Sequence, residues 1–470
     1  MTPYGGLMRR THTLLLAALL IAGSGQSQTA PLQPEFISLE AARPVVAVVH
    51  SSLPPELAKG KIDETSWSQW VRTSDAAIRQ RLEKGEEDTL TNLLRFGVTF
   101  TREYRIDNQY LARLGHSSLV DAFASKRADD LIRALSAPGS NEGLTQMRLF
   151  LEKKGFSFQT VAARKQIKAH LLANLARMRD EFISYAEKLK SGSPQPQSEL
   201  YAERGISLDT NLWPDFALHQ QLQRMAKEGL LKPGSVRRVA IIGPGLDFAN
   251  KESGSDFYPP QTIQPFAVID SLAQLGLADV KTIELFTFDI SSSVNVHIAR
   301  ARRQAKAGQP YVVQLAWDKT VPRSQTYMAD FTPYWKALGT SIGTPVPSLP
   351  VPPAVVEQVM IRAVKIRPGV VSRITPVDMN IVYQRAPLSD AAKFDLIIGT
   401  NIFVYYGAFE QSLARANLAA MMRPGAFLLT NDQLADTVSS QLVEQMRTRS
   451  ILSVQPAISD FIFWYRREGP

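Results

Sequence analysis

The stretch Val239-Ala-Ile-Ile-Gly-Pro-Gly-Leu-Asp247 decides the fold. Four consecutive apolar residues ending in glycine suit a short strand buried on both faces. Gly243 and Gly245 behind them allow a sharp turn and a close approach of backbone to a ligand. Three further runs are of the same kind: Thr282-Ile-Glu-Leu-Phe-Thr-Phe288, which ends in Asp289; Phe394-Asp-Leu-Ile-Ile-Gly399; and Ala426-Phe-Leu-Leu-Thr430. Between them, apolar residues recur at helical spacing over 262–275, 293–307 and 411–422. Strands alternating with helices predict an α/β fold with a mostly parallel sheet, covered on both faces. Ligands of such sheets bind at the carboxyl ends of the strands.

Upstream the period is helical. Trp67, Trp70, Val71, Ala77, Ile78 and Leu82 recur at three- and four-residue steps, which predicts an all-α domain over 63–190. Gly85 reads as an interruption of the first helix, with the period resuming at Asp88, and 160–190 reads as one long helix. Residues 28–62 read as an extended segment. Ser191-Gly-Ser-Pro-Gln-Pro-Gln-Ser198 has linker composition, so 191–235 is a linker and a leading helix. Residues 1–27 read as an export signal: Arg9 and Arg10, then the apolar Leu14–Ala22, then small residues. That apolar run is too short to span a bilayer, and no other segment qualifies. Export implies a periplasmic or secreted protein.

Composition narrows the chemistry. The 470 residues contain no cysteine, which removes disulfides, thiolate catalysis and Cys-ligated metals. Six histidines show no ligand spacing, so no metal is expected. The net charge is +9, and loss of residues 1–27 leaves +7. That is mild for the size and calls for no nucleic-acid partner. The helical domain is the candidate surface for a protein partner.

Three strand-end clusters are candidates for the site. Gly243, Gly245 and Asp247 form the first. Asp289 and Ile290 form the second, where an acid could accept two hydrogen bonds from ribose hydroxyls, or cap the next helix together with Ser291. Thr400, Asn401 and Tyr405 form the third, at the end of the Phe394–Gly399 run.

In this order, with Leu413-Ala-Arg-Ala-Asn-Leu-Ala-Ala-Met-Met-Arg-Pro-Gly425 following, the residues resemble an S-adenosylmethionine-dependent methyltransferase with a Rossmann-like fold. The last two blocks are most similar to the chemotaxis-receptor glutamate methyltransferases, with Met379-Asn-Ile-Val382 upstream and Thr400-Asn401 where that family has Arg-Asn. The resemblance covers about 236–470 and implies a mostly parallel, seven-stranded type of sheet. It implies that Gly243, Gly245 and Asp247 line the cofactor turn, with both glycines under its methionine portion. It further implies Asp289 on the ribose, Ile290, Asn380 and Ile381 about the adenine, and Thr400 and Asn401 by the transferred methyl. Asn401 and Tyr405 are the catalytic candidates, Tyr405 through cation–π attraction to the sulfonium. The acceptor, protein or small molecule, is not readable. An alternative is a non-catalytic envelope protein that uses this fold for binding or scaffolding.

Two departures stand out. Asp289 lies 46 positions after Gly243, against about 20 in a dinucleotide-binding unit. The extra length is an insertion at 248–264. A second, proline-rich insertion spans 310–373, with a strand expected at Tyr311-Val-Val-Gln-Leu315. Either could act as a lid.

Overall fold

The helical half begins earlier than its sequence pattern suggests. In the computed structural model the described residues are 32–49, 52–191, 205–207, 210, 212–247, 256–320, 323–435, 441–453 and 458–469. The 1–27 signal, most of the linker and residues 248–255 of the first insertion lie outside them. The segment read as extended contains a two-residue strand β1 (Glu35–Phe36) and two helices, α1 (Leu39–Val48) and α2 (Pro55–Ala58). The Ser38 side chain accepts from the Ala41 amide and starts α1.

Helix α3 (Glu64–Phe96) runs unbroken for 33 residues. Its start is a capping box: Asp63 accepts from the Ser66 amide at 2.9 Å, and Ser66 Oγ accepts from the Asp63 amide at 3.0 Å. Gly85 does not interrupt it. A Cβ at Gly85 would lie 1.8 Å from the backbone oxygen of Ile206, so glycine there serves a close crossing rather than a break. Helices α4 (Asn108–Arg113), α5 (Ser118–Ser136), α6 (Glu142–Lys153) and α7 (Val161–Lys190) follow. Leu90, Leu94, Leu131, Leu171 and Leu175 form the centre of their shared core.

The alternating half opens with α8 (Leu212–Lys227) and β2 (Arg238–Ile242), buried at every position. Then come α9 (Gln264–Gln274), β3 (Glu284–Asp289) and α10 (Ser292–Lys306). The second insertion is not a loop. It folds as β4 (Tyr311–Asp318), α11 (Gln325–Ala337), β5 (Gly343–Val346) and β6 (Val359–Ile366), the strands forming a separate antiparallel sheet in the order β4-β6-β5. Phe331 and Trp335 of α11 bury it against the main core. A short α12 (Pro368–Val371) leads to β7 (Ile374–Asp378), and β8 (Gln384–Arg385) pairs with β1. The chain closes with β9 (Phe394–Gly399), α13 (Ala408–Met421), β10 (Met422–Thr430), β11 (Leu442–Ser453) and β12 (Ile458–Arg467).

The main sheet has seven strands in the order β11-β12-β10-β9-β2-β3-β7. The five from β10 to β7 are parallel neighbours, and β12 runs antiparallel between β10 and β11. Strand order reverses between β2 and β9, which opens a crevice above their carboxyl ends. Residues 34–470 form one compact unit, so α3 and these strand ends belong to the same body.

Candidate functional site

Each predicted cluster sits where its strand stops. β2 ends at Ile242, and Gly243 and Gly245 turn the chain with φ of 61° and 67°, a region that favours glycine. β3 ends in Asp289, whose Oδ1 accepts from the Ser291 amide at 2.8 Å. Ser291 in turn caps α10 by accepting from the Val294 amide. The alternatives read for this pair are thus divided: Ser291 caps, and Asp289 faces the crevice. β7 ends at Asp378, one residue before Met379-Asn-Ile381. Gly243, Gly245, Asp289, Ile290, Asn380 and Ile381 all line one cavity.

Burial, before any other cause, lifts the Asp289 carboxyl to about 7, and the charge of Asp378 adds to it. Amides of Ser291, Gly245 and Ile290 oppose the shift. Asn380 is committed already. Its Nδ2 donates to Asp75 of α3 at 2.8 Å, and its Oδ1 accepts from the Val382 amide at 3.1 Å.

The remaining candidates lie outside this cavity. Asp247 accepts from Tyr258 Oη at 2.7 Å and from Gln261 Nε2 at 3.1 Å, pinning the first insertion back onto the turn. Thr400 Oγ1 accepts from Gln264 Nε2 at 3.0 Å, and the same amide reaches Asp215 Oδ1 at 3.2 Å. Asn401, expected to face a transferred methyl, adopts a φ of 59° and is exposed. It exchanges two hydrogen bonds with Asn431, of 2.7 and 2.6 Å. An asparagine tolerates that backbone, and its partner holds it there. Tyr405 offers its carbonyl to Arg81 at 3.0 Å and its Oη to the Ser207 amide at 3.3 Å. Tyr406, its neighbour, is the tyrosine that walls the cavity.

Residues outside the three candidate clusters complete the wall: Leu82 of α3, Ile206, Ser207 and Ile402. They leave a volume of about 40 Å³. Small-molecule sites run to about 300–1,000 Å³, so there is room for a water or two and not for a nucleoside. Ile402 accounts for part of the loss. A Cβ on Gly243 would lie 2.1 Å from Ile402 Cδ1, so an isoleucine side chain fills the hollow above the glycine turn. The residue types suit an adenosyl cofactor, but the space does not. The signal that could have exposed this was glycine within a helical period at 85, which marks a chain crossing close above α3.

A larger cavity of about 710 Å³ adjoins it. Glu86 of α3, Glu142 and Lys153 of α6, Leu246, and Ser292 and Arg300 of α10 are among its lining residues. Arg300 and Glu142 pair across it at 3.3 Å. Burial raises the Glu86 carboxyl, while Lys153 and a hydrogen bond from Ser293 oppose that. Among the described residues no cluster of His, Asp and Glu has the geometry to hold a metal ion, and no helix is long and apolar enough to cross a membrane.

No family model and no curated protein matches this chain. Solved structures similar to part of it include the N-methyltransferase NodS from Bradyrhizobium japonicum WM9, at 14% identity and a TM-score of 0.25, over 55% of this chain and 99% of that one. Magnesium protoporphyrin IX methyltransferase from Synechocystis PCC 6803 with bound SAM matches at 10% identity and a TM-score of 0.26, over 61% and 97%. A mutant of MtNAS in complex with S-adenosylmethionine matches at 9% identity and a TM-score of 0.24, over 73% and 97%. Scores this low add nothing to the strand order and the strand-end residues themselves.

Proposed function

We propose that this chain is an S-adenosylmethionine-binding protein of the methyltransferase type. One observation carries the reading. Gly243, Gly245, Asp289, Ile290, Asn380 and Ile381 converge on a single crevice at the carboxyl ends of three adjacent parallel strands. In this reading Asp289 accepts the ribose hydroxyls, the glycine turn passes beneath the methionine portion, and Ile290 and Ile381 flank the adenine. The acceptor is a protein or small molecule still to be identified. The similarity to chemotaxis-receptor enzymes assigns none. Residues 1–27 are proposed to direct export.

A second reading is favoured by the volume of about 40 Å³ and by Ile402 in the glycine hollow. It makes the chain a non-catalytic protein, with the fold kept as a binding or scaffolding module. Isothermal titration of the full chain with S-adenosylmethionine and with its demethylated product separates the two. Saturable binding by the wild type, lost in Asp289→Ala, supports the first reading. Absence of binding of either compound by the well-folded wild type and by Leu82→Ala, which enlarges the crevice, supports the second.

A further inference from the structure

The small crevice and the large groove beside it share a wall. Leu82 lines the crevice and Glu86 lines the groove. These residues are four apart on α3, so they project from the same face one turn from each other. The other walls are equally continuous. Gly245 borders the crevice and Leu246 the groove; Ile290 borders the crevice and Ser292 the groove. The two cavities are thus lined by neighbouring residues of the same three segments.

Polar ties help to hold α3 in this position. Asp75 accepts from Asn380 at 2.8 Å. Arg79 reaches Asp378 at 2.8 Å and the Ile290 carbonyl at 3.4 Å. Arg81 reaches the Tyr405 carbonyl at 3.0 Å. Ile206 is laid across the helix, its amide donating to the Arg81 carbonyl at 3.2 Å, with Gly85 and Gly205 in close contact beneath. Apolar anchors of α3 lie towards its ends, at Trp67 and Val71 and from Leu90 to Leu94, and its middle adds buried Ile78 and Leu82, which packs against the main core. Its middle turns meet the strand ends through the buried Asp75–Asn380 hydrogen bond and through the more exposed Arg79–Asp378 pair, of a kind that is individually weak.

We infer that residues 75–86 of α3 are a self-inhibitory partition. They occupy the nucleoside position of the crevice, and their withdrawal merges crevice and groove into one chamber that begins at Asp289 and ends at the Glu142–Arg300 pair. The inference rests on the reading that the crevice takes S-adenosylmethionine. It explains why a donor set suited to that cofactor coexists with a volume of about 40 Å³.

The test compares the full-length wild type with Leu82→Ala, which enlarges the crevice, and Arg79→Met, which cuts the tie to Asp378 and Ile290. S-adenosylhomocysteine is titrated into each, and amide hydrogen exchange of 75–86 is followed with and without it. A competent state populated to a tenth or less lowers apparent affinity about tenfold or more. Both variants should therefore bind about tenfold tighter than the wild type, and ligand should speed exchange within 75–86. Equal or weaker binding by the variants, with exchange of 75–86 unchanged by ligand, overturns the partition and leaves the cofactor reading standing. Absence of binding by all three folded proteins overturns the cofactor reading, and the partition with it.

Discussion

Affinity for an adenosine-containing ligand should follow the ionisation of Asp289. Its carboxyl is 8% exposed and burial lifts it to about 7. An ionised carboxylate can accept both hydroxyls of a ribose, and a protonated one loses part of that capacity. With the pKa at about 7, roughly a tenth of the protein carries the charge at about pH 6 and roughly nine tenths at about pH 8. Apparent affinity should therefore rise about tenfold across that interval and flatten above it. Asp289→Asn removes the ionisation, so its affinity should be independent of pH. It should also be weaker at about pH 8 by roughly 1.5–3 kcal/mol, the range for hydrogen bonds to a charged group. Titration calorimetry with S-adenosylhomocysteine at about pH 6, 7 and 8, on both proteins, reads these effects. Folding linkage runs the other way. A carboxyl whose folded pKa is raised binds its proton more tightly when folded, so its contribution to stability falls as pH rises from about 4 through about 7. Binding that strengthens over the window in which Asp289 weakens the fold is not a stability artefact. A wild-type affinity flat between about pH 6 and 8, or a pH dependence that survives in Asp289→Asn, refutes the reasoning.

Three other outcomes are expected. Asp215 is buried, among the described residues accepts from Gln264 through Oδ1, and is lifted to about 7 by burial, which that hydrogen bond opposes. Asp215→Asn should gain stability over the wild type as pH rises from about 4 to 7, by at most about 4 kcal/mol at about 1.4 kcal/mol per pKa unit; a urea-unfolding difference that stays flat over that range contradicts it. Gly85→Ala should lower the melting temperature despite a helix propensity favouring alanine by about 1 kcal/mol, because the new Cβ meets the Ile206 oxygen at 1.8 Å; an unchanged or raised melting temperature in a thermal scan refutes the crossing. In its native host the chain should be found outside the cytoplasm with about residues 1–27 removed, and cytosolic full-length protein on fractionation rules out export.

The parts of the fold legible in sequence are those whose burial is one-dimensional. β2 and β9 lie inside the sheet, so Val239–Ile242 and Leu396–Ile398 are apolar without a break. At the edge beside β3, β7 reads Ile-Thr-Pro-Val-Asp, half of it in contact with solvent and proline in its middle, which edge strands tolerate. β11 intersperses arginine with apolar residues, and Arg447 stacks on Phe461 at 4.2 Å; β12 keeps its arginines at its end, where Arg466 lies over Phe427 at 5.9 Å. β11 carries no hydrophobic run, whereas β12 does, at Phe461-Ile-Phe-Trp-Tyr465. The second insertion was long enough to read as a lid, yet α11 buries Phe331 and Trp335 and so fastens it to the core.

The site divides in the same way. Gly243, Gly245, Asp289 and Asn380 could be placed because a strand end is a local feature, marked by the residues that precede it. Asn401 could not, because its role depends on Asn431, a residue on another strand end, and on a backbone with positive φ. The filling of the crevice is further still from any local signal. Asp75 meets Asn380 across 305 positions, and Arg79 meets Asp378 across 299. Ordinary helical spacing explains both α3 residues on their own, as charges on a solvated face. What distinguishes them is the surface they meet, and that surface is assembled only when β7 has paired beside β3. The glycines carry the one local trace. Gly85 costs its helix about 1 kcal/mol relative to alanine, and a helix that keeps such a residue amid a good helical period has a chain passing within van der Waals distance of it. Reading that glycine as a contact rather than a break converts a gap in the pattern into the element that decides whether the crevice is open.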